Sequence, residues 1–232
     1  SKHIIFKKKL KIKSKNIKSF LYSSCYFKTQ STDKEFQFIF DENLKKNALI
    51  LFTSGTTGKP KGVVHTYYTL SQKWKSLRRN FSLKNINNSL CLLPTHFGHG
   101  LICNCLFPLF SNKKLFIFPK FNMSLISNLG IIIDKYSINH LSSVPSMWKI
   151  VLKLSRKPKK KSLKVITCGS APLNSNLWKR IQKWSSIKSV WNTYGITETG
   201  SWIAGTSQSN FIPRDGLIGK PWGARFKILS AK

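Results

Sequence analysis

The stretch Ala48-Leu49-Ile50-Leu51-Phe52-Thr53-Ser54-Gly55-Thr56-Thr57-Gly58-Lys59-Pro60-Lys61-Gly62 decides how this chain is read. It opens with a short continuous apolar run, the pattern of a buried strand. From Thr53 onward its character changes. Gly55, Gly58 and Gly62 let the backbone turn sharply and bring N–H groups close to a ligand. Ser54, Thr56 and Thr57 add hydroxyl donors, and Lys59 and Lys61 add positive charge. Glycines, hydroxyls and lysines arriving together directly after a strand suit a polyphosphate. The common phosphate loop needs Gly-Lys followed by Ser or Thr at the start of a helix. Here Gly58-Lys59 is followed by Pro60, which has no N–H and disfavours helix at Lys59. The pattern therefore predicts a loop that closes over a nucleotide. A plain Gly/Ser/Thr turn between two strands is the competing reading.

Outward from this loop the chain alternates. Apolar runs at Ser89 to Leu93, Lys114 to Phe118, His140 to Val144 and Lys164 to Cys168 predict strands. Helical periodicity occupies about Tyr67 to Arg79, Gly100 to Phe110, Met123 to Lys135, Ser146 to Leu154 and Asn174 to Trp184. Such alternation predicts an α/β fold, layered and rich in parallel pairing, with helices on its faces. In such sheets ligands sit beyond the carboxyl ends of the strands. The organisation expected is a basic N-terminal segment, 1–47, with a weak strand at Phe36 to Phe40, then a nucleotide-binding region, 48–232. The run Arg156-Lys157-Pro158-Lys159-Lys160-Lys161 reads as a solvated turn.

The 232 residues carry 40 Lys+Arg against 7 Asp+Glu, a formal net charge of +33. One reading is a nucleic-acid or anionic-membrane partner. The other is coding bias, because the cations are mostly Lys and the chain is also rich in Asn and Ile, all from AT-rich codons. A phosphate-reading surface would use more Arg, whose planar fork grips phosphate in two places. No specific nucleic-acid partner is expected. The cysteines, Cys25, Cys91, Cys103, Cys105 and Cys168, are odd in number and contain no Cys-x-x-Cys pair, which favours a reducing, cytoplasmic compartment. His96 and His99 beside Cys91, Cys103 and Cys105 match no standard zinc spacing. No apolar run approaches the roughly 18 residues that span a bilayer. The chain opens at Ser1 without Met, as a processed, cut or partial chain would.

Leu51 to Val63 resembles the signature loop of the adenylate-forming superfamily, which contains acyl-CoA synthetases, firefly-type luciferases and nonribosomal peptide synthetase adenylation domains. Trp191-Asn192-Thr193-Tyr194-Gly195-Ile196-Thr197-Glu198-Thr199-Gly200 resembles that family's Tyr-Gly-x-Thr-Glu hallmark. Gly169-Ser170-Ala171-Pro172 is similar to its turn bordering adenine and the acyl pocket. Leu93 to Leu101 is similar to the segment whose His or aromatic side chain gates the carboxylate site. Phe97 holds the gating position there and His96 lies one residue earlier, so whether His96 or His99 touches substrate stays open. His140 to Trp148 and Asp215 to Pro221 follow in the family's order.

The resemblance implies a partial N-terminal domain that activates a carboxylic acid with ATP and Mg²⁺, then passes it to a thiol such as coenzyme A or a carrier protein. It implies that Thr53, Ser54, Gly55, Thr56, Thr57, Gly58 and Lys59 hold phosphates, with Lys59 also catalytic. Gly169, Ser170, Ala171, Pro172, Asn192, Thr193, Tyr194 and Gly195 border the nucleotide. Thr197 contacts the α-phosphate and Glu198 holds Mg²⁺. Glu198 is one of seven acids in the chain, and Mg²⁺ prefers one or two carboxylates plus phosphate oxygens. His96, Phe97, Gly98, Gly200 and Trp202 would line the acid pocket. The family's ribose-binding Asp, hinge and C-terminal catalytic Lys are not in this sequence, so the chain alone is expected to be slow or inactive. Two further classes stand beside this one: a basic protein that binds nucleic acid or anionic surfaces, and a catalytically silent nucleotide binder.

Overall fold

Short apolar runs separated by amphipathic stretches bury both patterns when the strands pair in parallel and the stretches cross back over the sheet. The computed structural model has this arrangement. It describes residues 3–6, 18–21, 42–53, 59–81, 86–118, 123–207 and 211–229. The chain divides into two units, residues 1–40 and 41–232. In the first, β1 (His3–Phe6) pairs in parallel with β2 (Lys18–Leu21). The weak strand expected at Phe36 to Phe40 lies outside the described residues.

The second unit begins with an antiparallel hairpin of β3 (Asn47–Thr53) and β4 (Lys61–Thr66). This corrects one expectation. The run Ala48 to Phe52 is a strand, but it is not buried on both faces. Leu51 is 4% exposed, whereas Ile50 and Phe52 on the opposite face are 49% and 65% exposed. Apolar content says nothing about which face a partner covers, so the alternation was invisible in the run. Thr53 stands opposite Lys61, so the glycine-rich segment is the connection of a hairpin.

Helix α1 (Tyr67–Asn80) follows, started by a capping box in which Thr66 and Thr69 exchange hydrogen bonds. Then come β5 (Asn88–Cys91), a π-helical segment (His99–Leu106), α2 (Phe107–Phe110) and β6 (Lys114–Ile117). The expected helix at Met123 to Lys135 is two, α3 (Met123–Ser127) and α4 (Leu129–Tyr136). After them lie β7 (His140–Ser143), α5 (Pro145–Leu154), β8 (Val165–Gly169) and α6 (Ser175–Ser185). Last are β9 (Val190–Ile196), β10 (Ser201–Gly205) and β11 (Lys220–Pro221). One sheet takes seven of these strands in the order β11-β10-β9-β8-β7-β5-β6. The five from β9 to β6 pair in parallel, and β10 and β11 extend the sheet antiparallel.

The two faces of this sheet differ chemically. Leu90, Leu141, Ile166 and Cys168 point to the side packed by α3 to α6, where Trp148, Val151, Trp178 and Ile181 complete an apolar core. Their strand neighbours Ser89, His140, Ser142 and Thr167 point the other way by the period of two and are fully buried too. That side is closed by Leu77, Phe81, Ile102, Phe107, Trp202 and Trp222. Some of its polar groups pair, and Ser89 Oγ lies 2.8 Å from His140 Nδ1, with the His140 ring meeting Phe81 edge-on at 5.2 Å, while Trp202 Nε1 is buried with no hydrogen-bond partner among the described residues.

The basic run from Arg156 to Lys161 is not simply solvated. Asp134 of α4 pairs with Arg156 at 2.9 Å and accepts the backbone N–H groups of Lys159 and Lys160 at 2.9 and 2.8 Å. These donors, set against the cost of burial, hold the Asp134 carboxyl below the usual carboxylate range. Replacing Asp134 by Ala removes the charged acceptor from both N–H groups, and an unfolding titration should show a loss of about 1–3 kcal/mol.

Candidate active site

The carboxyl ends of the parallel strands open into a cleft of about 470 Å³. Leu93 and Pro94 after β5, Val144 after β7 and Ser170 after β8 form one wall. Gly195 and Ile196 of β9, Thr197 and Ser201 form another, and Phe97, Gly98, His99 and Gly100 enter from the start of the π-helical segment. The cleft thus lies where chain topology places ligands in open α/β sheets.

Strained backbone gathers here. The non-glycine residues with left-handed φ are Asn112, Ser137, Ser170, Ser186 and Ser201 among the described residues. Ser137 and Ser186 end helices, a routine use of that conformation. Ser170 (φ 66°) and Ser201 (φ 81°) line the cleft instead. Strain of this kind persists where the surroundings over-determine it, commonly at functional sites. A register shift between Trp202 and Ala204 adds a bulge beside them.

The second hallmark segment forms β9 and a single 3-10 turn, Thr197–Thr199. Asn192 and Thr193 are buried: Asn192 Nδ2 donates to the Leu217 carbonyl at 2.7 Å, and Thr193 Oγ1 to the Cys168 carbonyl at 3.3 Å. Tyr194 and Glu198 are exposed, next in sequence to the cleft-lining Gly195 and Thr197. Gly169 is required by space, because a Cβ there would sit 2.6 Å from the Thr193 carbonyl oxygen. Ala171 and Pro172 continue the turn at the surface.

The hairpin meets this turn through His65 of β4, a residue given no role in the sequence reading. His65 is buried, hydrogen-bonds the Thr197 backbone and packs against Gly200. Burial pushes its pKa down, with the Thr197 bond opposing. The arm that ends in the glycine-rich connection is therefore fastened to the Thr197–Glu198 turn. Thr53 and Lys59 flank that connection, whereas Ser54, Gly55, Thr56, Thr57 and Gly58 lie outside the described residues.

The histidine segment resolves differently from the sequence expectation. His96 does not line the cleft; its exposed ring leans on Phe97 with centroids 4.1 Å apart. His99 does line it, with Nδ1 2.7 Å from Ser170 Oγ and Nε2 2.8 Å from Ser142 Oγ. Burial pushes the His99 pKa down to about 4, so the ring is neutral near pH 7. Trp202 is a core residue, stacked near Phe81 and edge-on to His99 and Trp222, and Gly200 lies under His65 rather than on the cleft wall. Lys73 Nζ donates to the Trp202 carbonyl at 2.8 Å and ties α1 to β10.

A family model described as "AMP-binding enzyme" matches residues 6–232. The chain belongs to that family. It is 32% identical over 188 residues to a dimodular nonribosomal peptide synthase of Bacillus subtilis (strain 168), covering 81% of this chain and 8% of that one. It is 30% identical over 205 residues to a probable CoA ligase of Humulus lupulus, covering 79% and 33%. Among solved structures, O-succinylbenzoate coenzyme A synthetase from Bacillus subtilis, in complex with ATP and magnesium ion, superposes with a TM-score of 0.66 at 25% identity. That match covers 77% of this chain and 36% of the synthetase. The AMP-binding chain thus spans about a third or less of the length of these relatives. No helix among its described residues is long and apolar enough to cross a membrane.

Proposed function

We propose that this AMP-binding chain contributes the nucleotide-holding part of an enzyme that activates a carboxylic acid. The acid's carboxylate attacks the α-phosphorus of ATP and pyrophosphate leaves; a thiol of coenzyme A or a carrier protein then attacks the acyl carbon of the adenylate, and AMP leaves. The observation that carries this reading is the fastening of the glycine-rich hairpin to the Thr197–Glu198 turn through His65, at the mouth of the strand-end cleft. In this reading Ser54 to Lys59 neutralise the phosphates, with Lys59 among the catalytic groups. Thr197 meets the α-phosphate, Tyr194 lies against the base, and Phe97 gates the acid. Such positioning and neutralisation of charge supply most of the catalysis in phosphoryl-type transfers.

Mg²⁺ fits the donor set. Glu198 is a single exposed carboxylate at the turn, and no group of three or more His, Cys, Asp or Glu side chains assembles among the described residues. A site completed by phosphate oxygens is the kind Mg²⁺ takes, and there the ion supplies charge neutralisation. Cys91, Cys103, Cys105 and Cys168 are free and buried, which supports a reducing, cytoplasmic setting.

The test is MgATP binding by calorimetry at moderate salt, with inorganic tripolyphosphate as the control for a chain of net charge +33. Saturable binding that prefers ATP, weakened about tenfold (about 1.4 kcal/mol) by Glu198→Ala, is expected. Equal binding of the two polyphosphates, indifferent to the substitution, would sink the reading and bring forward the basic-binder alternative.

A further inference from the structure

The cleft contains a directed chain of hydrogen bonds. His99 joins Ser142 through Nε2 at 2.8 Å and Ser170 through Nδ1 at 2.7 Å. A neutral imidazole has one N–H and one lone pair, so one serine donates to the ring and the other accepts from it. Burial decides which. Ser142 has no exposed surface, and among the described residues its hydroxyl has His99 as its one hydrogen-bond partner. Were Ser142 to accept from Nε2–H, its own O–H would be a buried donor with no acceptor, at a cost of about 1–3 kcal/mol. Ser142 therefore donates to Nε2, the ring proton sits on Nδ1, and Nδ1–H donates to Ser170 Oγ. The Ser170 proton is then free to point elsewhere. Ser170 is exposed, lines the cleft and is held there by its left-handed backbone.

We propose that Ser170 presents its hydroxyl proton to the cleft, fixed in that sense by the Ser142–His99 relay, and so selects acids that carry an acceptor oxygen besides the reacting carboxylate. This rests on the reading that the cleft takes an acid. The cleft that Ser170 lines is largely apolar, with Leu93, Pro94, Phe97, Val144 and Ile196 in its walls and Thr197 and Ser201 among its polar groups. A plain alkyl acid would cover the hydroxyl and leave it unpaired, whereas an oxo or ester oxygen would accept from it. Rejection of a ligand lacking the matching polar group is a strong form of selectivity, because the protein's own group is left stranded. Ser170 touches the ligand; His99 and Ser142 are positioning residues.

The experiment titrates two pairs of singly charged acids into the chain with saturating AMP: 3-oxobutanoate against butanoate, and 4-oxopentanoate against pentanoate. Equal charge cancels the attraction of the lysines. The wild type should prefer the oxo acid in at least one pair by about 3- to 10-fold. Ser170→Ala and Ser142→Ala should both bring that ratio to about one, though Ser142 touches no ligand, and Ser142→Thr should keep it. Imidazole ¹⁵N shifts should place the His99 proton on Nδ1 in the wild type, a readout that does not depend on variants folding. A proton on Nε2, or a preference that survives Ser142→Ala in a folded protein, overturns the relay. AMP binding with a wild-type ratio of one overturns this inference and leaves the proposed function standing. Loss of AMP affinity itself in Ser170→Ala assigns the hydroxyl to the nucleotide and overturns its assignment to the acid. Absence of both AMP and acid binding removes the proposed function, and this inference with it.

Discussion

Acidification from about pH 7 to pH 4 should remove several kcal/mol of stability, most of it from two histidines. His99 and His140 are buried on the polar face of the sheet, and burial pushes their pKa values down to about 4 and about 3, His99 adding to the depression at His140. Both are near 6.5 when unfolded. A depressed pKa means that the unfolded chain binds the extra proton, so stability is fully present above pH 6.5 and falls as pH drops toward the folded values. For His99 alone the shift corresponds to about 3 kcal/mol. A domain typically has about 5–15 kcal/mol in all, so partial or complete unfolding near pH 4 is expected. Asp134 and Asp215, whose pKa values are lowered, lose their contributions only below the usual carboxylate range, which separates the two effects. Urea titrations followed by tryptophan fluorescence from pH 7.5 to 4.5 check this. A flat stability over that interval would mean that water reaches these rings and that the polar face is not sealed.

Gly195→Ala should be among the most damaging single substitutions in the chain. Gly195 pairs with Trp202 across β9 and β10, and a Cβ on it would sit 2.1 Å from the Ser201 carbonyl oxygen and 2.7 Å from the Trp202 Cα. Both obstacles are backbone, so neither can rotate away. The methyl would pry β10 from β9, move Trp202 within the core and displace the Thr197–Glu198 turn. Overpacking of this kind costs about 1–3 kcal/mol and sometimes more. MgATP affinity should fall more than about tenfold, since Thr197 and Glu198 follow directly. Gly216→Ala is the comparison: nothing lies within 4 Å, and only its left-handed φ of 73° opposes a side chain. It should cost about 1–2 kcal/mol and leave nucleotide binding near wild type. If Gly195→Ala matches wild type in both midpoint and affinity, the β9–β10 pairing is not what holds the turn.

The parallel strands were legible because each is a compact apolar run with a helical stretch behind it, and β5, β6, β7 and β8 appear within two residues of expectation. The antiparallel elements were not. β4 begins Lys61-Gly62 and contains His65, which breaks the apolar pattern, and only pairing with β3 makes it a strand. β9 was read as a hallmark motif and the β10 segment only as pocket lining around Gly200 and Trp202, since Asn192, Thr193 and Gly195 look like loop residues until Leu217, Cys168 and Trp202 are placed beside them. Around the cleft, residue types in the sequence could not say which side chains of a segment face it, and tertiary packing decided that. Two histidines three positions apart were equivalent in the sequence. One leans on Phe97 in solvent, and the other is sealed between two serines. Trp202 could not be told from a pocket-lining aromatic until Phe81 and Trp222 closed around it.

The π-helical turns from His99 to Leu106 make the length of that segment a determinant of the site. Each turn holds one residue more than an α-helix would. Changing the length of the segment by one residue, with no compensating change in its turns, would rotate everything upstream by about 100° relative to the buried Cys103 and Phe107, one residue's share of a helical turn. His99 would swing out of line with Ser142 and Ser170 while every residue of the triplet remained present. Under the proposed role of Ser170, substrate preference would therefore be sensitive to an insertion or deletion several residues away from any side chain that touches the ligand.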